Sequence, residues 1–163
     1  MSDRTELLER YRKGPELVAA VLTGAAGSEL DWAPEGKWSI RQIVAHLADS
    51  EIVGTDRVRR TIAEDNPTLI RYDQDAWARA LNYSKRKVSD ALDILRKLRA
   101  ENYELVSSLP PEAFSRPATH SEHGAMTLES IVETYAKHAE AHARQIRDVR
   151  ERFKVERQRQ AST

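Results

Sequence analysis

Six glycines and six prolines are all that this 163-residue chain offers to interrupt a helix, and they cluster between segments rich in Leu, Ala, Arg and Glu. That punctuation predicts long helices, hence an all-α fold. A first helix is expected over residues 3–22, with Gly14-Pro15 kinking it or restarting it at a first-turn proline and Gly24 to Gly27 ending it. Ser39 is a good N-cap for a second helix over residues 40–64, which Asn66-Pro67 breaks. A connection of about 17 residues follows, longer than most bundle loops and able to cross the bundle's length. A third helix is predicted over 84–108, capped by Ser84 and stopped by Pro110-Pro111, with a polar loop after it. Thr127-Leu128-Glu129-Ser130 then opens a fourth helix running to about Phe153. These spans predict one domain over residues 1–153 and a polar, fraying tail over 154–163.

Charge and cysteine content narrow the function. Lys plus Arg and Asp plus Glu number 26 each, so no net field recruits nucleic acid or an acidic membrane. The arginines from Arg144 to Arg159 are interleaved with Asp148, Glu151 and Glu156, as on a solvated helix face. No apolar run approaches the roughly 20 residues that span a bilayer, and the charged amino terminus suggests a soluble, cytoplasmic protein. With no cysteine, the chain has no disulfide, no thiolate nucleophile and no sulfur ligand of its own. A metal site here can use only nitrogen and oxygen.

Nitrogen is available in a telling pattern. At 100° per residue, Leu128, Ile131, Tyr135, Ile146, Val149 and Phe153 share one stripe of the fourth helix, and His138 and His142 fall on it too. Standing at i and i+4, the two imidazoles form a clamp that one ion can bridge. The bland alternative is a pair of histidines each hydrogen-bonded within the core. Two imidazoles on an apolar stripe would each then need a separate buried partner, whereas one metal satisfies both. The HExxH arrangement of zinc proteases is absent, because position 139 is Ala and Glu140 lies on another face.

A third ligand must come from elsewhere, and His46, bordering the stripe of Ile43, Leu47 and Val58, is the best candidate. Asp49, three residues on, could orient that imidazole, act on a bound species, or simply pair with Arg41 or Arg57. Tyr135, one turn before His138, could offer its hydroxyl to the site or be an ordinary core tyrosine. His120 and His123 lie in the loop before the fourth helix, where solvated histidines are usual, though both could line a pocket mouth. Trp38, Trp77 and Tyr72 are read most simply as caps on the bundle's apolar ends.

These residues together resemble the DinB superfamily, and within it the YfiT-like branch of proposed metal-dependent hydrolases and thiol S-transferases. The resemblance runs from about Leu17 to Ile146. It is carried by Trp38-Ser39-Ile40-Arg41-Gln42-Ile43-Val44-Ala45-His46-Leu47-Ala48-Asp49-Ser50, by Arg57, Asn66-Pro67-Thr68, Tyr72-Asp73 and Trp77-Ala78, and by His120 to Gly124 ahead of Tyr135 to His142. It implies a four-helix bundle of up-down-down-up order, with a long crossover between helices two and three. It also implies a divalent metal, usually zinc or nickel, on His46, His138 and His142, and a homodimer. Additional histidines common in that branch are replaced here by Ala45, Ala141 and Gln145.

Three protein ligands leave a coordination position open, which marks a catalytic site. The expected function is therefore a metal-dependent transferase joining a small cellular thiol to an electrophile, with Asp49 and Tyr135 assisting. The alternatives are a hydrolase attacking an amide or related bond with metal-bound hydroxide, and a non-catalytic metal-binding stress protein.

Overall fold

The computed structural model describes residues 3–162, so the outermost positions of the expected domain and tail, residues 1, 2 and 163, lie outside it. Four long helices form a bundle: α1 (Asp3–Leu22), α3 (Ile40–Ala63), α5 (Val88–Ser107) and α6 (Leu128–Ala161). Two short ones, α2 (Ser28–Asp31) and α4 (Gln74–Ala80), lie in the connections. No helix among the described residues is long and apolar enough to cross a membrane.

Local chemistry sets the helix starts. Ser39 Oγ accepts the Gln42 N–H while Gln42 Oε1 accepts the Ser39 N–H, a reciprocal box that opens α3. Thr127 and Ser130 do the same for α6. Gly14-Pro15 does not break α1, which runs unbroken through both residues. Ser84 does not open the third long helix either. It sits in a 3₁₀ turn over Tyr83–Lys85, and α5 starts at Val88. At the other end of the chain, α6 passes the expected stop at Phe153 and continues to Ala161, supported by the Glu151–Lys154 and Glu156–Gln160 pairs on its exposed surface.

α1 packs on α5 and α6, and α3 packs on the same two helices, so the bundle is a square with α3 and α5 adjacent and joined by the long crossover. The polar loop predicted after α5 is instead partly strand. β1 (Thr68–Leu69), just after α3, pairs in parallel with β2 (Pro117–His120), which pairs antiparallel with β3 (Gly124–Thr127). This small sheet ties the end of α3 to the start of α6 and fixes the up-down-down-up order.

Two apolar clusters fill the bundle. One gathers Tyr11, Val58, Val106, Leu128, Ile131 and Tyr135, the other Val18, Ile43, Leu47, Leu95, Ile146 and Val149. Between those two sets the helices place polar or small residues toward the interior: Gly14, Glu51, Arg99 and Asn102, and the histidines of α6. The middle layer is held by Arg99, which donates to both Glu51 carboxylate oxygens at 2.7 Å and to the Tyr11 carbonyl at 2.7 Å. Arg99 and Glu51 are both fully buried, and the guanidinium lies 4.2 Å from the Tyr11 ring centroid. Gly14 makes room for it, since a Cβ there would sit 2.7 Å from Arg99 Nη1 and 2.8 Å from Ala139 Cβ.

Candidate metal centre

The histidines of the middle layer meet. His46, deeply buried on α3, places Nε2 3.0 Å from His138 Nε2, and His142 Nε2 lies 3.0 Å from the same atom. One ligand atom from each ring lies within 4.8 Å of the others. The i, i+4 spacing supplies two of the nitrogens from one face of α6, and the packing of α3 against α6 supplies the third.

The proton inventory tests whether this trio suits a cation. His142 Nδ1 lies 2.7 Å from Gln145 Oε1, an acceptor, so Nδ1 carries the proton and the neutral ring turns the lone pair of Nε2 inward. His138 Nε2 faces two imidazole nitrogens, and a proton there can point fully at only one of them. Extra protons do not solve the problem, because burial pushes the pKa of His138 down to about 2 and that of His46 down to about 3, with His142 also lowered. Three neutral imidazoles turning nitrogens to one point leave lone pairs unanswered, and a divalent cation answers all three. The donor set fits such an ion.

The surroundings hold the rings in place. Trp38 packs against the apolar clusters at the start of α3, and its indole also meets His46 with centroids 5.0 Å apart and Tyr83 edge-on. His46 Nδ1 is buried without a protein partner, so Asp49 does not hydrogen-bond this ring. The Asp49 carboxylate pairs with Arg86 from the crossover, and neither of the partners expected from sequence is used: Arg41 binds Asp31, while Arg57 binds Tyr135 and the Ile70 carbonyl. Asp49 keeps one buried oxygen, Oδ2, without a partner. Gln145 is the orienting residue that sequence reading passed over, although its position three residues beyond His142 on the helix was available as a signal.

Beyond His138 opens a cavity of about 630 Å³ lined by Ser50, Arg57, Tyr72, His120, Tyr135 and His138, among others. Tyr135 reaches it because α3 has a glycine opposite: a Cβ on Gly54 would lie 2.5 Å from the phenol ring. Its hydroxyl accepts from Arg57 Nη1 at 3.3 Å, and burial raises its pKa to about 12, so it stays protonated. Tyr72, on the cavity wall, packs in a tilted arrangement against Trp77 behind it, with ring centroids 4.6 Å apart. His120, expected to be solvated, is buried because β2 pairs on both edges, and it stacks on the exposed His123. Neither contributes to the three-histidine cluster.

Comparison with known proteins agrees with this picture. The family model for the DinB superfamily matches residues 10–146. An Oceanobacillus iheyensis protein is 28% identical over 129 residues, covering 78% of this chain and 74% of that protein. A Bacillus mycoides protein is 33% identical over 118 residues, covering 72% and 68% respectively. Both carry names that suggest a metal-dependent hydrolase. Among solved structures, YfiT from Bacillus subtilis, described as a probable metal-dependent hydrolase with an unusual four-helix bundle topology, aligns with a TM-score of 0.87 at 25% identity over 94% of this chain and 90% of that one.

Proposed function

We propose that this chain, which belongs to the DinB superfamily, is a metal-dependent enzyme whose His46, His138 and His142 hold one divalent ion, Zn²⁺ or Ni²⁺, and whose reaction transfers a small cellular thiol to an electrophile. The observation that carries this reading is the convergence of three neutral imidazole nitrogens beside a large open cavity. An ion bound there supplies Lewis-acid activation, favouring the deprotonated form of a nucleophile near neutral pH.

The chain's own residues do the rest. The neutral ligands leave the ion its full positive charge, which selects an anionic nucleophile such as a thiolate. Gln145 fixes the tautomer and angle of His142, and the Trp38 indole restrains His46. Tyr135, protonated and oriented by Arg57, presents a hydroxyl to the cavity and serves as hydrogen-bond donor to the electrophile. Carboxylates beside the histidines are charge-paired: Asp49 with Arg86, Glu51 with Arg99, Glu140 with Arg10. A thiol that loses its proton on binding needs little from a neighbouring base, and this favours thiol transfer. Because the chain lacks cysteine, the thiol enters as cosubstrate, and about 630 Å³ has room for a thiol and an electrophile together. Of these three carboxylates only Asp49 keeps an oxygen, Oδ2, without a partner among the described residues, so such auxiliary proton handling as the reaction needs falls to it.

Hydrolysis is the second reading, supported by the names of the relatives. Assay of the metal-loaded chain with a small thiol and an electrophile separates the two. Thiol-dependent conjugation that His142→Ala abolishes supports transfer, and turnover of an amide without thiol supports hydrolysis. Asp49→Asn should keep the metal and slow turnover.

A further inference from the structure

Resting on the reading that the small molecule occupies the cavity beside His138, we infer that Arg57 and His120 form a carboxylate-binding subsite on its wall. The molecule held there therefore carries a single negative charge beyond Tyr135.

Arg57 is the first observation. Other arginines near the histidines have carboxylate partners: Arg86 has Asp49, Arg99 has Glu51, and Arg71 at the cavity edge has Glu122. Arg57 has none among the described residues. It is steadied by two neutral oxygens, the Tyr135 hydroxyl at 3.3 Å and the Ile70 carbonyl at 3.0 Å, and its Nε is buried without an acceptor. A guanidinium positioned in a cavity and left with donor capacity is built for an anion.

His120 is the second. Its Nδ1 accepts the backbone N–H groups of Glu122 at 3.1 Å and His123 at 3.3 Å, which places the proton of the neutral ring on Nε2. That N–H has no acceptor among the described residues, and the ring lines the same cavity. Burial and the neighbouring Arg57 charge both push its pKa down, so it stays a neutral donor beside a cation.

The rim sets the valence of the ligand. Arg71 and Glu122 on it are paired with each other, which leaves Asp73 and Asp75 exposed on the same cavity, so one negative charge at Arg57 is tolerated better than two. A carboxylate suits that field, and a phosphate dianion does not.

The test uses the full chain in two arms. In the first, the Zn²⁺-loaded protein binds 3-mercaptopropionate and its neutral amide, followed by calorimetry. The carboxylate should bind at least about tenfold more tightly, the ratio should fall to near one in Arg57→Gln, and Arg57→Lys should retain part of it. In the second arm the metal-free protein binds propionate, a monoanion. This affinity should also drop about tenfold or more in Arg57→Gln, and several-fold in His120→Ala. If neither thiol binds but the propionate arm behaves as stated, thiol transfer falls and the carboxylate subsite stands. An unchanged ratio and unchanged propionate affinity in Arg57→Gln would overturn the proposal, as would inorganic phosphate displacing propionate at lower concentration than propionate itself requires.

Discussion

Gln145 Oε1 sits 2.7 Å from His142 Nδ1 and so decides which nitrogen of that ring faces the cluster. Partners of this kind typically govern metal affinity by about 10–100-fold. Gln145→Ala should therefore weaken Zn²⁺ binding by that factor, read by competition with a chelator of known affinity, while the helical circular dichroism signal stays unchanged. Unaltered affinity would mean that His142 is held by packing alone.

Tyr135 approaches the site only because position 54 lacks a side chain. In Gly54→Ala the new methyl would meet phenol atoms at 2.5–2.9 Å, and overpacking of this type costs about 1–3 kcal/mol. Chemical denaturation should show a loss in that range. Activity should drop as well, since Tyr135 and Arg57 move together.

The buried Arg99–Glu51 pair makes a third prediction. Glu51→Ala leaves a guanidinium charge in the core and should cost about 3–5 kcal/mol, whereas replacing both residues with Met should recover most of that loss. Equal destabilisation by the single and double variants would show that the pair's worth lies in shape rather than charge.

Acid should destabilise the metal-free protein in a defined window. The folded-state pKa of His46 is about 3 and that of His138 about 2, against about 6.5 in an unfolded chain, so below pH 6.5 the unfolded state binds protons that the folded state refuses. The stability these rings contribute is complete above pH 6.5 and is lost as pH falls toward 3, by up to about 1.4 kcal/mol per pH unit for each histidine. Thermal melts from pH 8 to pH 4 should be flat first and then decline, with a shallower decline in His138→Ala. A slope unaffected by that substitution would place the acid sensitivity elsewhere.

The bundle was legible because its signals are local and repeated. The Ser39 box, the Thr127 cap and the apolar stripe holding His138 and His142 are all written within one helix turn or two. His46 was legible as a candidate from its stripe, but its convergence on α6 depends on packing between distant segments. Asp49 shows the limit more sharply. Its partner, Arg86, comes from the crossover, and nothing in the spacing distinguishes that arginine from Arg41 or Arg57. His120 and His123 line the cavity, a place open to them in the sequence, but the burial of His120 is not legible there, because strands of two to four residues are too short to show alternation and the sheet leaves no periodic trace. The contact of Trp38 with His46 leaves no sign in the spacing, because it joins a loop residue to a helix position packed beneath it.

If three imidazoles from two helices hold one ion, calorimetric titration of the metal-free full chain with Zn²⁺, alongside His46→Ala, His138→Ala and His142→Ala, reads it out. The unaltered chain should bind one equivalent, each of the three variants should lose that binding with the helical signal preserved, and His123→Ala should bind as the unaltered chain does. Retention of one tightly bound equivalent in His46→Ala or His138→Ala would contradict a site built from all three rings.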